Sequence, residues 1–214
     1  MNFPKIPFYR GWSTVYAGTA ILAVLVGSQT GGSIGHFFVA LLKEFGWSRT
    51  LLSGAFSLVR IEGRLLGPIE GLLIQKLGPR RAVFIGLAIF GGGVLLLSQI
   101  RELWQLYTII FILSLGSGLG AIVPMQSVIN NWLGRYITRA ISLQLEGIAI
   151  GGIVVPLLLA WSIGGSDPAA SEHYGWSNTA IFIGILTMTL AFPLSQLIQN
   201  RPEDVGLLPD GDTT

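Results

Sequence analysis

Long apolar runs alternate with short polar segments along the whole chain. A helix of about 20 apolar residues crosses the ~30 Å hydrocarbon core of a bilayer, and runs of this length recur six times. They predict helices over residues 12–40, 50–74, 82–100, 104–132, 140–163 and 177–199. Every tryptophan lies near an end of one of these runs, where indole rings favour the headgroup level: Trp12, Trp47, Trp104, Trp132, Trp161 and Trp176. Two independent patterns thus predict six membrane-spanning helices.

The composition supports the same class of protein. Hydrophobic residues make up 51% of the chain and charged residues 11%, whereas a soluble domain carries about 25% charged residues. The net charge is only +2 and the basic residues are dispersed, which argues against a nucleic-acid partner. The sequence contains no cysteine and no recognisable metal-binding, nucleotide-binding or nucleophile motif. We therefore expect no cofactor, no metal and no enzymatic activity.

The distribution of basic residues among the loops predicts the orientation. Lysine and arginine concentrate in the cytoplasmic loops of membrane proteins. With the N-terminus inside, the inner segments hold eight basic residues: Lys5, Arg10, Lys76, Arg80, Arg81, Arg135, Arg139 and Arg201. The outer loops hold three: Lys43, Arg49 and Arg101. We expect a membrane domain over residues 1–200, a cytoplasmic tail over 201–214, both termini in the cytoplasm, and location in the cytoplasmic (plasma) membrane.

The second predicted helix carries four charged residues inside an apolar run: Arg60, Glu62, Arg64 and Glu70. Charges inside a bilayer are expensive unless they face a bundle interior or a water-filled cavity. Three glycines recur every four residues and allow a neighbouring helix to come close to one face: Gly63, Gly67 and Gly71. At ~100° per residue Arg60 and Arg64 fall on that glycine face, so we expect both arginines to face the interior. Pro68 favours a kink in this helix.

The loop after this helix carries a motif. Gly71, Lys76, Gly78 and the pair Arg80–Arg81 resemble the loop between the second and third helices of major facilitator superfamily transporters. Gln75 stands where that family usually has aspartate. The phrases FGWSRTLLSGAFSL, before the charged helix, and RPEDVGLLPDG, near the end of the chain, resemble the oxalate/formate-antiporter and monocarboxylate-transporter-like branch. The resemblance covers nearly the whole chain.

This resemblance implies a fold and a function. The implied fold is an all-α membrane protein of six transmembrane helices, built as two three-helix inverted repeats and equivalent to the N-terminal half of a transporter. Helices 1, 2, 4 and 5 would face a central cavity, while helices 3 and 6 would face outward. The implied activity is secondary active transport of a small organic anion, a monocarboxylate or dicarboxylate, by alternating access. The implied partners are a second six-helix half, missing or on another chain, and a coupling ion such as the proton.

Residues of the first two helices are candidates for substrate binding. A guanidinium makes bidentate contacts to a carboxylate and keeps its charge when buried, which favours Arg60 and Arg64. In the second half of helix 1, the side chains of Gln29, Thr30 and Ser33 could line an aqueous path. Small polar residues at these positions could equally serve helix packing.

Four further residues are candidates for ion coupling or for internal salt bridges: His36, Glu62, Glu70 and Glu146. His36 can titrate near neutral pH, and a solvated histidine near the outer interface is the alternative. Glu146, in the fifth helix, matches the depth of Arg64, so we expect these two side chains to pair. The pair would be either a structural salt bridge or one that breaks and re-forms during transport. Arg60 could instead be neutralised by Glu62, Glu70 or Glu146.

The loop from Gln75 to Arg81 is expected to brace the cytoplasmic side rather than to bind substrate. Gln75 weakens the brace, because an amide cannot exploit a helix dipole as a carboxylate does. Two other classes of function stay open: a six-helix protein that pairs with itself to enclose a path, and a non-transporting fragment or accessory membrane protein. The coding sequence beyond Thr214 would test the transporter-half hypothesis, and crosslinking for dimers would separate the other two.

Overall fold

The computed structural model describes residues 10–29, 31–163 and 174–203, and every regular element in these segments is a helix. Eight helices follow one another: α1 (Arg10–Ser28), α2 (Gly31–Phe45), α3 (Arg49–Leu77), α4 (Pro79–Leu97), α5 (Leu103–Gly120), α6 (Ile122–Trp132), α7 (Ile137–Ile163) and α8 (Gly175–Leu197). The pairs α1–α2 and α5–α6 are each one span interrupted near its middle. The eight helices therefore build six spans, in the order that the hydropathy pattern predicts.

The observed spans lie close to the predicted ones. The largest difference is at the end of the first span, which reaches Phe45 rather than residue 40. Five of the spans are long and apolar enough to cross a membrane by length and composition. The remaining span, α3, has 29 residues and is about 44 Å long at 1.5 Å per residue. It contains the four charged residues that the sequence places inside the bilayer, which lowers its hydropathy.

Local signals explain the corner between α3 and α4. Gly78 adopts φ 79°, a left-handed conformation that glycine reaches without steric cost, and its N–H donates to the carbonyl of Ile74. Pro79 then occupies the first turn of α4, where its missing N–H costs nothing and its fixed φ suits a helix start. Pro68, in contrast, lies inside the continuous helix α3.

Glycines set how closely the helices approach each other. A Cβ added to Gly151 of α7 would overlap the backbone carbonyl of Ala23 in α1, and one on Gly27 of α1 would lie 2.7 Å from the backbone of Gly151. In the same way, a Cβ on Gly86 of α4 would lie 2.6 Å from the Cα of Gly120 in α5. Close backbone approach through small residues is the usual packing mode of helices in membranes. These contacts hold α1 against α7 and α4 against α5.

The prediction that the third span faces outward is wrong for most of its surface. Helix α4 packs against α5 on one side and α8 on another, and ten of its residues are buried. Gly91 allows this, because a Cβ there would lie 3.0 Å from the carbonyl oxygen of Gly184 in α8. Only a narrow strip that includes Phe84 and Leu96 is exposed. The uniform hydrophobicity of this span therefore reflects burial inside the unit more than contact with lipid.

Candidate functional site

The first and fourth spans are both broken near their middle, and the break in the fourth span has a local cause. In the fourth span, Pro124 has no N–H for the carbonyl of Gly120 and its ring crowds that carbonyl, so α5 ends at Gly120 and α6 begins at Ile122. Between them Ala121 adopts φ −104° and ψ −116°, which is not helical. The break in the first span follows Ser28. Both breaks fall in the first span of a predicted three-helix repeat.

The two breaks meet at one recess of about 320 Å³, whose lining is mostly apolar and includes two polar side chains. Val26 and Gln29 line it from the end of α1, and five residues line it from α5 and α6: Ser117, Gly118, Ala121, Ile122 and Val123. The first N–H groups of a helix have no partner within that helix and carry a positive partial charge. The start of α6 therefore brings such donors to the recess, beside the Gln29 amide and the Ser117 hydroxyl. The recess thus offers hydrogen-bond donors, and no charged side chain is among its described lining residues.

A carboxylate lies beside this recess. Glu70 of α3 is only 6% exposed, and its side chain reaches Gly118 of α5 so closely that a Cβ on Gly118 would overlap the carboxylate. Glycine at position 118 is therefore required for Glu70 to occupy its place. The contact brings an ionisable group from the second span next to Gly118, one of the residues that line the recess.

The predicted substrate residues of the first span have different surroundings in the structure. Gln29 lines the recess, and its amide nitrogen also lies 3.4 Å from the carbonyl oxygen of Leu25. Ser33 is fully buried, and its hydroxyl donates to the carbonyl oxygen of Gly27 at 2.7 Å. Its observed contact thus ties α2 to α1 across the break, which is the packing alternative. Thr30 lies outside the described residues, and His36 is partly buried on α2.

The charged residues of α3 can be placed only in part. The backbone of Arg60, Glu62 and Arg64 lies within the helix, while their side chains lie outside the described part of the structure. The interior position of both arginines therefore stays a prediction, and so does the pairing of Arg64 with Glu146. Glu146 itself is exposed on α7.

The glycine face of α3 is open at the two of its glycines whose surroundings are described. A Cβ added to Gly67 or to Gly71 would meet nothing within 4 Å among the described atoms. The expectation that a neighbouring helix comes close at these glycines therefore stays a prediction. In this unit α3 turns Glu70 towards Gly118 of α5 and leaves Leu65 and Ile69 exposed.

The loop motif is tied to the end of α8. The N–H of Arg80 donates to Oδ1 of Asn200 at 2.9 Å, so Asn200 caps the start of α4 from 120 residues away, where Gly78 offers no side-chain cap. The same segment holds the end of α6, because Asn131 Nδ2 donates to the carbonyl oxygen of Asn200 and Trp132 Nε1 donates to that of Gln199.

The polar side chains of the motif are mostly exposed to the surroundings of the protein. Gln75, Lys76 and Arg81 are exposed, and Arg80 is partly buried. The described contacts of the motif are therefore made by its backbone. Sequence reasoning missed Asn200, and the signal available was a helix start with glycine at its N-cap, which calls for an acceptor from another part of the chain.

Apolar helices that are interrupted at mid-span around a recess are typical of polytopic membrane transporters. The sequence model of the Major Facilitator Superfamily matches residues 19–211, and the chain belongs to that superfamily. Its resemblance to the monocarboxylate-transporter-like branch is also confirmed by similar proteins.

Monocarboxylate transporter 13 of Bos taurus is 26% identical over 181 residues, which cover 84% of this chain and 40% of that protein. Monocarboxylate transporter 14 of Mus musculus is 26% identical over 208 residues, covering 94% and 38%. Monocarboxylate transporter 2 of Mesocricetus auratus is 26% identical over 200 residues, covering 92% and 40%. The chain thus spans about two fifths of the length of these relatives.

Proposed function

We propose that this chain takes part in secondary active transport of a small organic anion of the monocarboxylate or dicarboxylate type, by alternating access. The observation that carries the proposal is the recess at which two interrupted spans meet. Discontinuous helices in transporters direct the positive ends of their half-helices at anionic groups of the substrate. The names of the similar proteins, all monocarboxylate transporters, favour the same substrate class.

Within this proposal the start of α6 and the Gln29 amide bind the substrate in the recess. Their hydrogen bonds orient a carboxylate but supply only partial charge. A full positive charge would come from Arg60 or Arg64, whose guanidinium groups suit a carboxylate. Glu70 occupies the wall next to this position, where its charge would oppose a second anion and its protonation would favour one. Glu70 is therefore our candidate for coupling to protons.

A second six-helix unit would complete the path. Glu146 lies about 14 Å along α7 from Ile137, at 1.5 Å per residue, and is exposed there next to Leu145 and Ile150. A carboxylate at that depth is costly against lipid and is tolerated against protein or water. The exposed face of α7 thus favours a partner unit or an aqueous path, as does the open glycine face of α3. We place the protein in the cytoplasmic (plasma) membrane with both ends in the cytoplasm, on the distribution of basic residues.

The test is uptake of labelled lactate and oxalate by proteoliposomes in which this chain is present together with a second six-helix unit, either a further copy of the chain or a separate partner. We expect saturable uptake of at least one anion, competed by unlabelled anion and not by the neutral analogue lactamide. Arg60→Gln and Gln29→Leu should each lower uptake at least about tenfold if they remove 1.4 kcal/mol or more of binding. The matched control is Arg101→Gln, which should leave uptake unchanged, because Arg101 is exposed in the loop between α4 and α5. Absence of saturable uptake for every carboxylate tested would reject the proposal.

Self-association is the second candidate, and the exposed charge on α7 is equally compatible with a second copy of the chain. Cysteines introduced at Glu146 and Gly67 would distinguish the two arrangements, because the chain has no cysteine of its own. Crosslinks between copies that persist on dilution would support pairing of the chain with itself.

A further inference from the structure

A second cavity, which we call the apolar cavity, lies inside the six-helix unit. Its volume is about 310 Å³. It is enclosed by α2, α4 and α5, with Leu159 of α7 and Ile183 of α8 closing its sides. Gln29 is the residue that its described lining shares with the recess. The apolar cavity is therefore a separate site that touches the proposed substrate site through one side chain.

Polar groups are confined to one end of the apolar cavity. Among the lining residues that the structure describes, the polar ones are Ser28, Gln29 and Ser114, and all three lie near the middle of their spans. From Ser114 the cavity extends along α5 to Leu106, about 12 Å at 1.5 Å per residue. The rest of its wall is aliphatic or aromatic and includes Phe37. The cavity thus offers hydrogen bonds deep in the unit and apolar contacts towards the opposite end.

Charge and size restrict what this cavity could hold. No lysine or arginine is among the lining residues described, so an anion would enter without compensation, at high cost. An apolar cavity of about 150 Å³ holds benzene, so one of twice that volume admits two fused rings. A hydrocarbon tail has no group that could form hydrogen bonds with Ser114 and Gln29.

We propose that the apolar cavity is a binding site for a neutral, amphipathic aromatic molecule of about two rings, distinct from the transported anion. The hydroxyl of such a ligand would bond to Ser114 and Gln29, and its rings would pack against Phe37, Val94 and Leu113. A ligand in this position would contact Gln29, which also lines the recess.

Direct binding of 2-naphthol tests the proposal independently of transport. The protein is placed in lipid nanodiscs, and partitioning into empty nanodiscs is subtracted. We expect a saturable component of one site per chain, without such a component for the anion 2-naphthoate. Val94→Phe fills the cavity and should weaken binding at least about tenfold, whereas Leu96→Phe, two residues along on the exposed strip of α4, should leave it unchanged. Ser114→Ala should weaken binding about fivefold, the value of one net hydrogen bond.

Ile110→Phe, in α5, provides a second filling variant should Val94→Phe fail to give a monodisperse protein. Three results would overturn the proposal. The first is binding that survives either folded filling variant within twofold. The second is 2-naphthoate binding as tightly as 2-naphthol. The third is decane competing fully while Ser114→Ala has no effect, which would mark a non-selective hydrocarbon space rather than an amphipathic site.

Discussion

Gly86 of α4 faces the backbone of α5 at the point where the fourth span breaks, and its replacement by alanine tests this packing. A Cβ at position 86 would lie 2.6 Å from the Cα of Gly120 and 2.7 Å from the carbonyl oxygen of Gly116. Ordinary contacts of a Cβ begin at 3.4 Å. Because all the opposing atoms belong to the backbone, no side chain can move aside, and the two helices must separate by several tenths of an ångström.

The size of the effect follows from two opposing terms. Overpacking in a close-packed interior costs about 1–3 kcal/mol, and replacing glycine by alanine inside a helix gains about 1 kcal/mol. Gly92→Ala is a matched control in the same helix, because a Cβ at position 92 would meet nothing within 4 Å. The helix term cancels between the two variants. Gly86→Ala should therefore be about 1–3 kcal/mol less stable than Gly92→Ala.

Thermal unfolding of both variants in the same detergent measures this difference. At about 2–4 °C per kcal/mol for a chain of this size, Gly86→Ala should melt about 2–12 °C below Gly92→Ala. It should also lower anion uptake, because Gly120 directly precedes Ala121, which lines the recess. Equal melting temperatures for the two variants would refute the close approach of α4 and α5.

Further predictions concern the contacts of Glu70 and of the loop motif. Gly118→Ala should displace the Glu70 carboxylate and lower the melting temperature, and adding Glu70→Ala should restore part of the loss; a double variant that is no more stable than the single one would contradict the contact. Asn200→Ala should cost about 0.5–2 kcal/mol through loss of the cap on Arg80, while Asn200→Asp, which keeps an acceptor oxygen, should cost less; equal losses would argue against capping. Gln75→Asp should favour the cytoplasm-closed state and reduce labelling of cysteines on that side, and unchanged labelling would leave the loop a topological role only.

The spans could be predicted from the sequence because hydropathy is a local property. Each run of apolar residues reports its own length, so the order and approximate ends of the six spans agree with the structure. The break in the fourth span was also visible in principle, since Pro124 follows three closely spaced glycines. The break in the first span lacks a proline, and its glycines and serines fit a continuous packed helix equally well.

The neighbours of each helix face could not be predicted in the same way. Depth along a helix follows from residue counting, but rotation about its axis depends on which helices pack against it. For this reason Glu70 was assigned a general role in charge pairing, whereas the structure places it against Gly118. The cap on Arg80 depends on Asn200, a residue 120 positions away; the glycine at the N-cap of α4 indicates that an acceptor is needed but not which residue supplies it.

The most direct test of the proposed substrate site is protection of a single cysteine in the recess. Val123 is 51% exposed and lines the recess, and the chain has no native cysteine, so Val123→Cys reports on this place alone. At a lactate concentration about ten times its apparent Kd, bound anion should slow labelling by a water-soluble thiol reagent about tenfold. Lactamide should not slow the labelling of Val123→Cys. The control Gln99→Cys, at an exposed position between α4 and α5, should be labelled equally with and without lactate. Labelling of Val123→Cys at the same rate with and without every carboxylate tested would contradict an anion site at the two helix breaks.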